Sequence, residues 1–109
     1  MSPKDRRATP RFQPKPGNHI TYGVTSAAIR DLSLEGVFVF DSDPLPVGWE
    51  IIFTLRAGDQ DIALEGVVRR SVDNEGMGIQ FMKVSAVSKR RLRIYIASLV
   101  SSPGQLVKT

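Results

Sequence analysis

The chain contains no cysteine and only one histidine, His19, among its 109 residues. Without cysteine it cannot form a disulfide framework, a thiolate metal site or a cysteine nucleophile. A single histidine provides no ligand pair for zinc, and no Gly-x-Ser-x-Gly segment presents a serine nucleophile. The sequence also has no Gly-x-x-x-x-Gly-Lys-Ser/Thr loop for nucleotide phosphates. We therefore expect a protein that is not an enzyme and that holds no metal ion and no cofactor.

Long apolar runs are missing as well. No stretch approaches the roughly 20 residues that a membrane-spanning helix needs. The first seven residues, Met-Ser-Pro-Lys-Asp-Arg-Arg, contain proline and charge where a signal peptide has its apolar segment. With 41% apolar and 24% charged residues, the composition is typical of one soluble globular domain with one core. We expect a cytoplasmic protein without membrane insertion.

Positive charge is concentrated at the N-terminus. The formal net charge is +4, and residues 1–16 carry five basic side chains against Asp5 alone. Four prolines in this segment exclude an interior helix or a central strand, so we predict a flexible basic arm over 1–16. Residues 31–75 carry ten acidic side chains against three arginines. This distribution argues against a broad basic face and therefore against a nucleic acid polymer as partner.

The pattern after the arm predicts antiparallel β-structure. Short runs of β-branched and aromatic residues alternate with turn formers at intervals of about ten residues, as in a sandwich or barrel. We expect strands at 19–30, 36–41, 49–56, 61–72 and 76–82. Alternation along 61–72 predicts one face with Leu64, Gly66, Val68, Arg70 and Val72, and a second face with Glu65, Val67 and Arg69. Most of the eight aromatic residues fall at positions that we interpret as core.

The hydrophobic period changes after Met82 from two to about 3.6 residues. This predicts a C-terminal helix that is capped by Ser85 or Ser88. Its apolar stripe would consist of Leu92, Tyr95, Ile96, Leu99 and Val100. Its polar side would consist of Lys89, Arg90, Arg91 and Arg93, which we interpret as solvated. Residues 17–100 thus form the folded domain, and residues 101–109 are expected to be a frayed tail.

Two segments carry side chains that suit an anionic purine nucleotide. The first supplies three arginines within six residues, and the second is a turn with an acid, a hydroxyl and a glycine; the residues are Arg6, Arg7, Arg11, Asp31, Ser33 and Gly36. Guanidinium groups match phosphate oxygens or the O6 and N7 acceptors of guanine. A carboxylate accepts hydrogen bonds from the other guanine edge, a hydroxyl adds a neutral donor, and the glycine allows positive φ or close ligand approach. Taken alone, Asp-x-Ser-x-x-Gly also fits an Asx-type turn between strands.

Together these segments resemble the PilZ domain, the bacterial receptor module for the second messenger cyclic di-GMP. The pair Arg7-x-x-x-Arg11 and Asp31-x-Ser33-x-x-Gly36 carries the resemblance. It extends over nearly the whole chain, because Val67-Val-Arg-Arg70, Gly76-Met-Gly78-Ile-Gln-Phe81 and the C-terminal helix are also similar to the family. The resemblance implies an all-β fold, a six-stranded antiparallel β-barrel with a C-terminal α-helix. It also implies a flexible N-terminal arm that folds over the barrel rim onto the ligand.

The resemblance further implies a ligand set. Arg7 and Arg11 would hold phosphate and guanine, with Arg6 as an additional arginine, while Asp31 and Ser33 would bind a guanine edge. Gly36 would shape the turn, and Arg69 or Arg70 is a candidate to stack on a base. A basic residue at position 6 implies two cyclic di-GMP molecules per chain. The output would be an ordered arm that an unidentified downstream protein contacts.

Two alternatives remain open from the sequence. The first is a PilZ-like adaptor that binds only protein and no nucleotide, and such relatives are expected to lack the arginine pair. The second is a small OB-like barrel for single-stranded nucleic acid, which would need several exposed aromatic side chains on a basic face.

Overall fold

The computed structural model describes residues 10–100. It contains six strands and one helix: β1 (His19–Tyr22), β2 (Thr25–Leu32), β3 (Gly36–Phe40), β4 (Glu50–Ala57), β5 (Gln60–Val72), β6 (Gly76–Met82) and α1 (Ala86–Val100). The strands pair antiparallel in the order β1-β2-β3-β6-β5-β4, and β4 pairs with β1 to close the barrel. The predicted six-stranded antiparallel barrel with a C-terminal helix is confirmed.

The predicted single strand over 19–30 is wrong, because the chain turns back on itself at Gly23 and Val24. Gly23 has φ +60°, and Tyr22 pairs with Thr25 across the turn. Positive φ at the first of two central residues is the φ pattern of a type II′ hairpin turn, which favours glycine there. The β-branched and aromatic residues on both sides hide this turn in the sequence.

The core lies inside the barrel and under α1. Residues from every strand point inward and are almost fully buried, among them Ile20, Leu32, Val39, Leu55, Ile62, Met77 and, from the helix, Leu92 and Leu99. Side chains alternate between the inside and the outside of a barrel wall, and the interior of a small barrel is filled by them. The period-two pattern of the sequence therefore reflects a closed, packed barrel.

Two β-bulges interrupt this alternation. In the pairing of β2 with β3, Ile29 and Asp31 face consecutive residues of β3, and Arg30 between them has no partner. In the pairing of β5 with β6, Val68 and Arg70 face consecutive residues of β6, and Arg69 between them has no partner. The extra residues are therefore Arg30 and Arg69. A bulge shifts the following side chains to the other face, and Arg69 and Arg70 are both exposed. The expectation that Arg70 shares a face with Leu64 and Val68 is consequently wrong.

Helix α1 begins after Ser85 and packs on β5. The Ser85 hydroxyl accepts a hydrogen bond from the Ser88 amide at 3.1 Å, and the Ser88 hydroxyl donates to the carbonyl of Ala63 at 2.6 Å. Ser85 is thus the capping residue of the two that the sequence offered. The predicted stripe is buried except at Val100, which is 40% exposed at the end of the helix. Within residues 10–100, no helix is long and apolar enough to cross a membrane.

Candidate functional site

A cleft of about 390 Å³ lies on the outside of the barrel wall, over β2, β3, β6 and β5. Its centre is one row of paired residues. Asp31 of β2 pairs with Phe38 of β3, Phe38 pairs with Gly78 of β6, and Gly78 pairs with Arg70 of β5. Because Gly78 has no side chain, it leaves space above β6 between Phe38 and Arg70. The two bulges flank this row, one at each side.

The turn from β2 to β3 is built around Ser33. Asp31 and Leu32 still belong to β2, so the turn itself is shorter than the predicted 31–36 segment. The buried Ser33 hydroxyl accepts hydrogen bonds from the amides of Glu35 and Gly36 at 3.1 and 3.2 Å. The Ser33 amide donates to the Gly36 carbonyl at 2.8 Å. Ser33 therefore holds the turn that presents Asp31.

Gly36 is required for close strand packing. It is not among the glycines with positive φ, so the first of its two expected roles is wrong. A Cβ atom at this position would lie 2.5 Å from the carbonyl oxygen of Ile79 in β6. Gly36 thus allows β3 and β6 to approach each other at the floor of the cleft.

The segment before β1 reaches the cleft through Arg11, and the next residue, Phe12, anchors it to β2. The pairing of β2 with β1 ends at Ala28, which faces His19. Strand β2 continues to Leu32, and there Phe12 forms a β-bridge with it. Phe12 and Leu32 exchange two backbone hydrogen bonds of 2.7 and 2.8 Å. This bridge places the Arg11 guanidinium on Asp31, with Nε 2.5 Å from Oδ1.

The carboxylate of Asp31 lies between two arginines. Arg11 donates to Oδ1, and the Arg30 Nε donates to Oδ2 at 2.7 Å. Burial opposes ionisation of Asp31, but the hydrogen bonds and charges of Arg30 and Arg11 outweigh it and lower the pKa of the carboxyl. A second nitrogen of Arg11 lies 3.5 Å from the Ser33 hydroxyl. Asp31 is therefore an anion at neutral pH.

Phe38 forms the floor of the cleft. Only 4% of it is exposed, yet it lies outside the hydrophobic core cluster of the barrel. The Arg30 guanidinium carbon lies 3.9 Å from the centroid of its ring, and that of Arg70 lies 5.8 Å away. The Arg69 Nε donates to the Gln80 side chain at 2.7 Å. Four arginines against Asp31 and Glu35 give the cleft lining a net charge of +2.

The structure brings six of the predicted site residues into one cleft: Arg11, Asp31, Ser33, Gly36, Arg69 and Arg70. Arg6 and Arg7 lie outside the described residues. Residues 101–109 and most of the predicted arm also lie outside them. The described part of the arm makes two contacts: Phe12 bonds to the barrel, and the Lys15 amide donates to the Tyr95 hydroxyl of α1. The boundary of the arm at residue 16 stays a prediction.

Sequence reasoning missed Arg30, Phe38 and Gln80, which also line the cleft. Arg30 directly precedes the Asp-x-Ser-x-x-Gly motif, which was the available signal. Phe38 is one of the eight aromatic residues, most of which the sequence places in the core. Two other aromatic residues, Phe40 and Trp49, are 47% and 54% exposed and lie outside the cleft lining. These two positions do not form the series of stacking platforms that an OB-like barrel would need.

A closed antiparallel barrel with an arginine-lined cleft on its outer wall is a small binding domain suited to an anionic ligand with planar rings. The sequence matches the model of the PilZ domain over residues 5–98, and the chain belongs to the PilZ domain family. No curated protein sequence matches the chain.

Solved structures with the same fold include three bacterial proteins. The PilZ domain of YcgR from Escherichia coli, solved with c-di-GMP (cyclic di-GMP), is 22% identical, with a TM-score of 0.65 over 86% of this chain and 91% of that chain. The inhibitor of motility MotI/DgrA from Bacillus subtilis is 19% identical, with a TM-score of 0.66 over 94% of this chain and 57% of that chain. An uncharacterised Legionella protein is 18% identical, with a TM-score of 0.58 over 82% and 91% of the two chains. At these identities the similarity establishes the fold.

Proposed function

We propose that this chain is a receptor for cyclic di-GMP, which binds in the outer cleft and changes the surface that a downstream protein contacts. The observation that carries the proposal is the meeting of Arg11, Asp31 and Ser33 at one side of a cleft with positive net charge. Membership of the PilZ domain family supports the same ligand, as does the similarity to the YcgR domain that was solved with it.

The chemistry of the ligand matches both kinds of side chain in the cleft. Cyclic di-GMP has two phosphates and two guanines. Arg11, with Arg6 and Arg7 from the preceding segment, binds phosphate oxygens and guanine acceptors. Asp31, beside Ser33, accepts hydrogen bonds from N1–H and the exocyclic amine of one guanine. Arg69 and Arg70 add positive charge on the opposite side.

Binding exchanges the partner of Asp31. The Nε of Arg11 donates to Asp31, and the N1–C2–N2 edge of guanine presents the same guanidine-like donor pattern. Guanine takes the place of Arg11 on the carboxylate, and Arg11 moves to a phosphate. The arm then closes over the ligand, and ordering it costs conformational entropy at the moment of binding. The ordered segment is the new surface for the downstream protein.

The positive charge of Arg6 supports two ligand molecules per chain. Two cyclic di-GMP molecules that intercalate through their guanines place four phosphates in one small site. Such a site needs more positive charge than one ligand does. Arg6 adds its charge to that of Arg7 and Arg11.

Isothermal titration calorimetry tests the function. Cyclic di-GMP should bind, while GMP, cyclic AMP and a short single-stranded oligonucleotide should not compete. Arg11→Ala should weaken binding by about 10- to 100-fold, because a charge-assisted contact contributes about 1.5 to 3 kcal/mol. The control is Arg56→Ala, since Arg56 pairs with Asp61 at 3.0 Å outside the cleft lining.

Two outcomes would contradict the proposal in different ways. If the wild-type protein does not bind cyclic di-GMP, the receptor function is wrong and the adaptor that binds only protein is favoured. If cyclic di-GMP binds but Arg11→Ala and Arg56→Ala both retain wild-type affinity, the receptor function stands and the assignment of the site to this cleft is wrong.

A further inference from the structure

We propose that Arg30 and Phe38 form a base-stacking subsite in the cleft, in which the Arg30 guanidinium lies between the Phe38 ring and a purine ring of the ligand. Neither residue belongs to the Arg-x-x-x-Arg or the Asp-x-Ser-x-x-Gly motif. The inference rests on the proposed function, because the purine is a guanine of cyclic di-GMP.

The backbone directs Arg30 toward the cleft. Arg30 is the extra residue of the bulge in β2, so that Arg30 and Asp31 together stand opposite Phe38 of β3. A bulge redirects a side chain that regular alternation would place elsewhere, and bulges are frequent beside binding sites. Alternation already places Arg30 on the outer face, after the buried Ile29, and the bulge brings Asp31 to the same face beside it. From there the Arg30 guanidinium covers Phe38 of the neighbouring strand β3.

Two contacts hold the guanidinium of Arg30 in place. Its Nε donates to Oδ2 of Asp31 at 2.7 Å, and its central carbon lies 3.9 Å from the centroid of the Phe38 ring. The side chain nevertheless stays 40% exposed. A guanidinium that stacks on a ring through one face has a second flat face, and this second face can stack on a base.

Phe38 has the location of a platform rather than of a core residue. It is buried, but it does not belong to the core cluster inside the barrel. Its pairing partner on β6 is Gly78, whose missing side chain leaves room beside the ring. A Cβ there would lie at an ordinary contact distance of 3.4 Å from the ring. Arg70 is farther from Phe38, at 5.8 Å, and Arg69 donates to Gln80. Among the cleft arginines, Arg30 is therefore the one with an aromatic ring directly behind it.

The subsite and Asp31 bind different guanines. The hydrogen bond from Nε directs the guanidinium of Arg30 toward the carboxylate. A guanine that presents its edge to Oδ1 of Asp31 therefore lies beside this guanidinium and not over it. Cyclic di-GMP has a second guanine, and two bound molecules have four. One of these other bases stacks on Arg30.

Arg30→Lys tests the subsite, because lysine keeps the charge and the aliphatic cover of Phe38 but loses the planar face. Titration of cyclic di-GMP should show about 5- to 30-fold weaker binding, since a desolvated cation–π or stacking contact contributes about 1 to 2 kcal/mol. The salt dependence of the affinity should stay at the wild-type value. The matched control is Arg56→Lys, because Arg56 also pairs with a carboxylate and has a similar side-chain exposure of 43%.

A second measurement uses the wild-type complex and requires no variant. In a NOESY spectrum of the protein with saturating cyclic di-GMP, the guanine H8 proton should show cross-peaks to the side-chain protons of Arg30. The absence of these cross-peaks in a saturated complex would overturn the subsite.

The outcomes separate the subsite from the receptor function. If wild type binds cyclic di-GMP and Arg30→Lys binds as well as Arg56→Lys and wild type, the subsite is wrong and the receptor function stands. If wild type does not bind cyclic di-GMP, both are wrong. Weakened binding by Arg30→Lys with unchanged salt dependence, together with the H8 cross-peaks, supports the subsite.

Discussion

The motif glycine Gly36 provides a direct test of how the cleft is built. In Gly36→Ala, the new Cβ would lie 2.5 Å from the carbonyl oxygen of Ile79 and 3.5 Å from the Cα of Gln80, both backbone atoms of β6. Ordinary contacts of a Cβ begin near 3.4 Å, so β3 and β6 must separate locally. The hydrogen bond from the Phe81 amide to the Glu35 carbonyl, at 2.8 Å, lies next to this point and would be strained.

We expect Gly36→Ala to lower the free energy of unfolding by about 1 to 3 kcal/mol, the usual cost of inserting a methyl group into a packed region. This corresponds to a fall in the unfolding midpoint of roughly 4 to 8 °C per kcal/mol for a domain of about this size. Urea and thermal denaturation followed by circular dichroism measure both quantities.

The control is Gly78→Ala, because a Cβ there would meet Phe38 and Arg70 at ordinary distances of 3.4 and 3.6 Å. This variant should change stability by less than about 1 kcal/mol. If Gly36→Ala is as stable as Gly78→Ala and only its affinity for cyclic di-GMP falls, the reasoning from strand packing is refuted and Gly36 has its role at the ligand.

Two further predictions concern charge. The pKa of Asp31 is lowered in the folded protein, so its ion pairs contribute stability above the unfolded pKa of about 3.9 and this contribution is lost as pH falls through the lower folded value. The difference in unfolding free energy between wild type and Asp31→Asn should therefore be constant above about pH 5 and shrink below about pH 4; a difference that grows on acidification would contradict the ion pairs. Arg6→Leu should lower the calorimetric stoichiometry from two cyclic di-GMP molecules per chain toward one, and a wild-type stoichiometry of one would refute the role of Arg6.

Much of the fold was predictable because it depends on local patterns. Alternation of apolar residues locates the strands, and the change of period after Met82 locates the helix. The hairpin at Gly23 was missed because Thr21, Tyr22 and Thr25 all favour strands, and one glycine was the sole interruption of the pattern. A turn of two residues is specified mainly by its backbone dihedral angles, which leave a weak trace in the sequence.

The bulges explain what the sequence could not reveal about the site. A bulge is defined by two residues on one strand opposite one residue on its partner, so it depends on register between strands. Regular alternation placed Arg70 on the same face as Leu64 and Val68 and gave Arg30 no role. The chemistry of Arg11, Asp31 and Ser33 was recognisable from residue type and spacing. The location of Phe38 outside the core was not recognisable from the sequence, because the arginines that cover its ring come from two other strands.

The bridge between Phe12 and Leu32 also protects a strand edge. Strand β2 continues past the end of its pairing with β1, so the backbone from Ile29 to Leu32 has β3 on one side and the Phe12 bridge on the other. An uncovered strand edge is a template for pairing with another chain. Lifting Arg11 and Phe12 off β2 would therefore expose donors and acceptors that a second copy of the protein can pair with.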